Sequence, residues 1–126
     1  MIFLDTNILL EITLVDRPHY TQVKHLLENT QEETAISVLT SHLVMYFGRK
    51  EQTEDAFLHA VLNENKLLAL TPKDYEWAAN NEQGKDFEDA LQLSTAIRSG
   101  CSSFVTLDAM LAKRYANLPI TIVVPT

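Results

Sequence analysis

Cysteine is almost absent from this chain. Cys101 stands alone, so neither an internal disulfide nor a cysteine-rich zinc site can form, and a reducing cytoplasm is the expected setting. Long apolar runs are missing too: Asp, Glu, Lys or Asn interrupts each one, well short of the roughly 18–20 residues a membrane span needs. The opening Met1-Ile2-Phe3-Leu4-Asp5 has no basic stretch and carries a carboxylate, which suits a buried first strand rather than a signal peptide. Basic charge is scarce, with 10 Lys and Arg against 17 Asp and Glu, a net charge of −7 and a pI near 4.9. That balance argues against a strong, sequence-independent grip on phosphates. It leaves room for a nuclease, because carboxylates that hold cations contribute to such a balance. The only basic doublets, Arg49-Lys50 and Lys113-Arg114, read as solvated helix ends. Gly-x-Gly-x-x-Gly, P-loop and serine-elbow patterns are all lacking, and His19, His25, His42 and His59 make no zinc spacing.

What is present fits one globular domain over residues 1–126, with 46% apolar and 21% charged residues. Met1–Leu4 reads as a strand that ends at Asp5-Thr6-Asn7, and Ile8–Ile12 continues as a helix. Pro18 suits a helix N1 position, with Tyr20, Val23, Leu26 and Leu27 following at helical spacing. Thr34–Val38 reads as a strand leading into a helix with Leu43, Val44, Tyr46 and Phe47. Thr53–Asn63 reads as a helix, Lys66–Leu70 as a strand, and Thr71-Pro72 as the start of a helix broken by Gly84. A regular helix starts at Asp86 and stops at Gly100. Then come a strand over Ser103–Leu107, a helix over Asp108–Tyr115 and a last strand over Ile120–Val124. Strands alternating with helices predict a parallel α/β sheet covered on both faces, with its site at the strands' carboxyl ends.

Asp5 and Asp108 both stand at such ends. Each also suits a helix cap, since Asp accepts N–H groups well. Asp86 and Asp89 are three apart, so they share one face of a helical turn, and Asp86 reads equally well as an N-cap. Asp89 adjoins the small and apolar run Ala90–Ala96, where a carboxylate needs a partner, and a cation is one way to supply it. Independent caps have no reason to gather at converging strand ends. Carboxylates in this number suit a hard cation such as Mg²⁺ or Mn²⁺, and the chemistry this favours is phosphodiester hydrolysis.

The segments Ile2-Phe3-Leu4-Asp5-Thr6-Asn7, Ile36-Ser37-Val38-Leu39-Thr40, Asp86-Phe87-Glu88-Asp89-Ala90-Leu91 and Phe104-Val105-Thr106-Leu107-Asp108 together resemble the PIN domain family, especially the small VapC-type toxins of toxin–antitoxin pairs. The resemblance implies a three-layer α/β/α domain with a central parallel sheet of four to five strands. It implies a cytoplasmic, Mg²⁺- or Mn²⁺-dependent endoribonuclease cutting single-stranded RNA, the toxin of a type II pair, with an antitoxin partner and a homodimeric state. By position, Asp5, Asp89 and Asp108 become catalytic metal ligands. Asp86 is an accessory acid, while Thr6, Asn7 and Thr106 orient the carboxylates or a metal-bound water.

One departure matters. Leu43 stands where the family usually carries a glutamate, and a leucine cannot coordinate a cation. Three explanations stand open: His42 substitutes in part through a ring nitrogen although it points elsewhere around the helix, three aspartates suffice, or catalysis has decayed. Glu51 and Glu54 lie too far along. The acidic site is therefore expected to be incomplete. The alternative function is a catalytically weakened or inactive PIN-like module that binds RNA or a protein. A further alternative, phosphotransfer through an aspartyl-phosphate, is disfavoured by Asn7, which stands where such enzymes carry a second aspartate.

Overall fold

Five short apolar segments pair side by side in the computed structural model, which describes residues 1–126. They are β1 (Ile2–Leu4), β2 (Thr34–Ser37), β3 (Lys66–Leu68), β4 (Ser103–Val105) and β5 (Thr121–Val123), all parallel in the order β3-β2-β1-β4-β5. Helices α1 (Thr6–Thr13), α2 (Tyr20–Glu28), α3 (Val38–Lys50), α4 (Asp55–Asn63), α5 (Pro72–Asn81), α6 (Phe87–Arg98) and α7 (Leu111–Arg114) complete the chain. The expected α/β/α architecture is what forms, and its sheet has five strands. No helix is long and apolar enough to cross a membrane.

Alternation along the strands builds two cores. Phe3, Ala35 and Phe104 face one way and pack with Leu93 and Ala96 of α6 and Leu111 of α7. Leu4, Ile36 and Val105 face the other and pack with Ile8, Val23, Val44 and Leu58 from α1 to α4. Successive strand residues point to opposite faces, so a central strand covered on both sides, such as Ile2–Leu4, is apolar in succession. Phe3 and Phe104 stack at 5.2 Å between ring centroids and are fully buried. Burial of each contributes roughly 1.5–3 kcal/mol. Gly48 lets α3 meet α4, since a Cβ there would lie 2.5 Å from Leu58 Cδ1.

Several boundaries depart from the sequence reading for visible reasons. Pro18 lies in a turn and α2 begins at Tyr20, because the buried Glu11 carboxylate takes the His19 N–H and ties down the preceding loop. The strand expected to reach Leu107 stops at Val105. Beyond it Asn7 Oδ1 accepts the Leu107 N–H at 3.1 Å and Thr106 Oγ1 accepts the Asp108 N–H at 3.1 Å, so side chains replace the ladder. The helix expected from Asp108 shrinks to Leu111–Arg114, because Asp108 Oδ1 accepts the Met110 N–H and holds a turn instead. Both helical and strand edges elsewhere shorten by one or two residues: α4 starts at Asp55, β3 ends at Leu68 and β5 covers only Thr121–Val123.

Candidate metal centre

In this order, β1 lies between β2 and β4, and strand sequence reverses at the β1–β4 pair. Chains leaving the carboxyl ends of β1 and β4 diverge to opposite faces and open a crevice there. Asp5 leaves β1 with φ −66° and ψ 156°, and its Oδ1 accepts the Thr6 N–H at 2.8 Å. It therefore does cap α1. Its Oδ2 accepts from Thr106 Oγ1 at 2.8 Å and from Asn7 Nδ2 at 3.3 Å. Thr106 also accepts from Asn7 Nδ2 at 3.2 Å, so both strand ends are locked around one carboxylate.

That carboxylate is only 3% exposed. Burial pushes its pKa up from 3.8 to about 6 despite the hydrogen bonds from Thr106 and Thr6, and the charges of Glu88 and Asp86 push the same way. Asp86 caps α6, its Oδ1 accepting the Asp89 N–H at 3.2 Å. Asp89 is buried beside it, and burial first, then the Asp5 charge, then Asp86, raise its pKa to about 7. Deep burial of acids with few cations disfavours their charged forms.

Asp5, Asp86, Asp89 and Asp108 line one cleft, together with Thr6 and Asn7. Thr106 is fully buried behind them and reaches the cleft through Asp5 and Asp108. Thr6 contributes by its backbone N–H. Its hydroxyl turns inward to Thr40 Oγ1 and Gln92 Nε2, each at 2.9 Å. Gln92 also bonds Thr40 and Ser37, a buried network that fixes α6, with its Asp89, against the start of α1. Leu43 and Phe47 of α3 and Leu10 of α1 supply the apolar lining. His42 is exposed and does not reach the cleft, nor do Glu51 and Glu54.

Two groups stand here that the sequence reading omits. Glu88 lines the cleft half-buried, its pKa raised mainly by burial and its Oε1 shielded without a hydrogen-bond partner. Its signal was its place between Asp86 and Asp89. Arg114, expected to be a solvated helix end, instead places Nη2 2.6 Å from Asp108 Oδ2 and 3.2 Å from Asp89 Oδ2. Nothing local in the sequence separates it from the exposed Lys113. The other doublet does behave as a solvated end, with Arg49 forking onto Asp55 at the surface.

The donor set is all oxygen, which suits a hard divalent cation. Its arrangement is not closed around one point, however, since no three acidic, histidine or cysteine side chains are grouped tightly enough to share an ion. One oxygen of Asp89 and one of Asp108 are paired with Arg114. In donor chemistry the residues fit such an ion, while Arg114 pairs with two of them.

A family model described as PIN domain matches residues 2–117. No curated protein sequence matches significantly. Among solved structures, a toxin–antitoxin complex from Klebsiella pneumoniae is similar over 100% of this chain and 98% of that one, with a TM-score of 0.78 and 24% identity. VapC20 of Mycobacterium tuberculosis, described as a sarcin-ricin loop cleaving toxin, is similar over 96% and 99%, with a TM-score of 0.75 and 14% identity. VapBC2 from Rickettsia felis, bound to a promoter DNA fragment, is similar over 100% of both chains, with a TM-score of 0.67 and 17% identity.

Proposed function

The chain belongs to the PIN domain family, and we propose that it is a metal-dependent endoribonuclease that cleaves single-stranded RNA as the toxin of a type II toxin–antitoxin pair. The observation that carries this reading is the gathering of Asp5, Asp89 and Asp108 at the carboxyl ends of β1 and β4. Mg²⁺ or Mn²⁺ held by these carboxylates would supply an activated water and stabilise charge on the phosphate oxygens. The protein's own share is placement. Thr6 N–H, Thr106 and Asn7 fix Asp5 from three sides, the Ser37–Thr40–Gln92 network fixes α6, and Asp86 braces the backbone of Asp89.

An antitoxin and a second copy of the chain are proposed as its partners, in a cytoplasmic setting. That several similar structures are toxin–antitoxin complexes supports the antitoxin. Purified protein is expected to cut single-stranded RNA when Mn²⁺ or Mg²⁺ is added, and Asp5→Asn to abolish the cut. Equal cleavage by the variant would sink the assignment. Leu43 in the cleft lining favours a second reading, a PIN-like module with weakened or lost catalysis. On that reading the natural protein cuts slowly or not at all and Leu43→Glu gains activity; measurable metal-dependent turnover by the natural protein rules out lost catalysis.

A further inference from the structure

Arg114 sits at the end of a four-residue helix, yet its tip reaches two acidic residues that line the cleft. A single nitrogen, Nη2, bridges Asp89 of α6 and Asp108 of the turn after β4. Asp5, Asp86, Glu88, Asp89 and Asp108 all line the cleft, and Arg114 is the only basic side chain that pairs with any of them. One cation is shared between two carboxylates from different elements, and it pairs with oxygens that a divalent ion would also take.

The rest of this arginine is poorly served. Its Nε is shielded from water with no acceptor. Its Cδ lies against Gly84, which has φ +67° and where a Cβ would come within 3.2 Å of it. Arg98 offers the contrast, since its Nε and Nη2 together make four hydrogen bonds to Asp74 and the Ala69 carbonyl. A buried N–H without a partner favours departure to solvent. The tip is thus held by charge, and the stem is free of any polar anchor.

We infer that Arg114 is the resident cation of the metal-free cleft, a positioning residue that holds Asp89 and Asp108 together and is displaced when a divalent cation takes their oxygens. This rests on the reading of the cleft as a divalent-cation site. An interaction made only in the metal-free state opposes metal binding by its own strength. Removal of Arg114 therefore tightens metal binding while it destabilises the metal-free protein. An arginine that merely shaped the site would have the reverse effect on affinity.

The test is calorimetric titration of the whole protein with Mn²⁺, for the natural sequence, Arg114→Gln and Arg114→Lys, with thermal melts of each. Arg114→Gln is expected to lower the Mn²⁺ dissociation constant by about fivefold, the scale of a partly exposed ion pair, with Arg114→Lys in between. Its melting temperature should fall without metal and return to the natural value at Mn²⁺ saturation. An equal or weaker affinity in Arg114→Gln overturns the inference but leaves the metal site intact. Absence of Mn²⁺ binding in natural protein and variants alike overturns both. If Arg114→Gln does not fold, the Arg114 Nε–H signal of the natural protein decides: it should shift and exchange with water on Mg²⁺ titration. A signal unchanged at Mg²⁺ saturation would contradict displacement.

Discussion

Asp74 and Asp89 are both withdrawn from solvent, at 0% and 8% exposure, yet their surroundings drive them in opposite directions. Around Asp74, burial alone would raise the pKa. Arg98, the Thr71 N–H and Ser94 outweigh it and hold the carboxyl below its ordinary range. Asp74 also ties the start of α5 to α6 through Thr71 and Ser94. Every donor there has an acceptor, and the centre is finished. Around Asp89, burial, Asp5 and Asp86 all push upward and only Arg114 opposes them. A carboxylate with a structural task is given its partners by the fold. Asp89 is left short of them, and perturbed groups gathered in a cleft mark candidate functional sites.

The strongest way to break this contrast is to remove Arg98. Arg98→Ala leaves a fully buried Asp74 without its ion-pair partner, and the expected loss is about 3 kcal/mol of stability, measurable by urea denaturation. The matching change in the cleft has the opposite sign. Asp89→Asn relieves like-charge crowding and is expected to stabilise the metal-free protein by about 1 kcal/mol, while it abolishes Mn²⁺-dependent cleavage.

A pH series sharpens the same point. Asp5 and Asp89 hold their protons to about 6 and about 7 when folded, above the 3.8 of an ordinary aspartate. The folded state binds more protons than the unfolded one between those values. Stability of the metal-free protein therefore falls as pH rises from about 4 to about 7, and Asp89→Asn should flatten that fall in thermal melts. Leu43→Glu is expected to act more mildly. It adds a carboxylate to the cleft lining, strengthening Mn²⁺ binding several-fold in calorimetry and lowering metal-free stability near neutral pH. The smallest effect belongs to Arg49→Ala, whose pair with Asp55 is fully solvated; its melting temperature should be indistinguishable from that of the natural protein.

Of this contrast only the cleft was legible in the sequence, since Asp74 and Arg98 carry no motif. The apolar Ile2–Leu4 followed by Asp5 marks one strand end, and Phe104–Leu107 followed by Asp108 puts a second carboxylate beyond another strand. The Asp86–Asp89 spacing gives one helical face. Arg114 was not legible, because its contact depends on how α7 docks and on the left-handed turn at Gly84; beside Lys113 it carries no local mark. Glu88 escaped because helical spacing puts it off the Asp86–Asp89 face, whereas the first turn of a helix has no preceding turn to cover it and several positions share its open end. The end of β4 was overrun for a related reason. Thr106 and Leu107 look like strand residues, but the groups that end the ladder come from Asn7 and from the Thr106 side chain.

Whether the crevice between β1 and β4 holds a divalent cation is decided by a crystal structure of the protein soaked in Mn²⁺. Anomalous density is expected among Asp5, Asp89 and Asp108, with the Arg114 guanidinium moved off both of the carboxylates it bridges. Crystals saturated with Mn²⁺ in which the cleft shows no anomalous peak and Arg114 still spans Asp89 and Asp108 would contradict cation binding in the crevice.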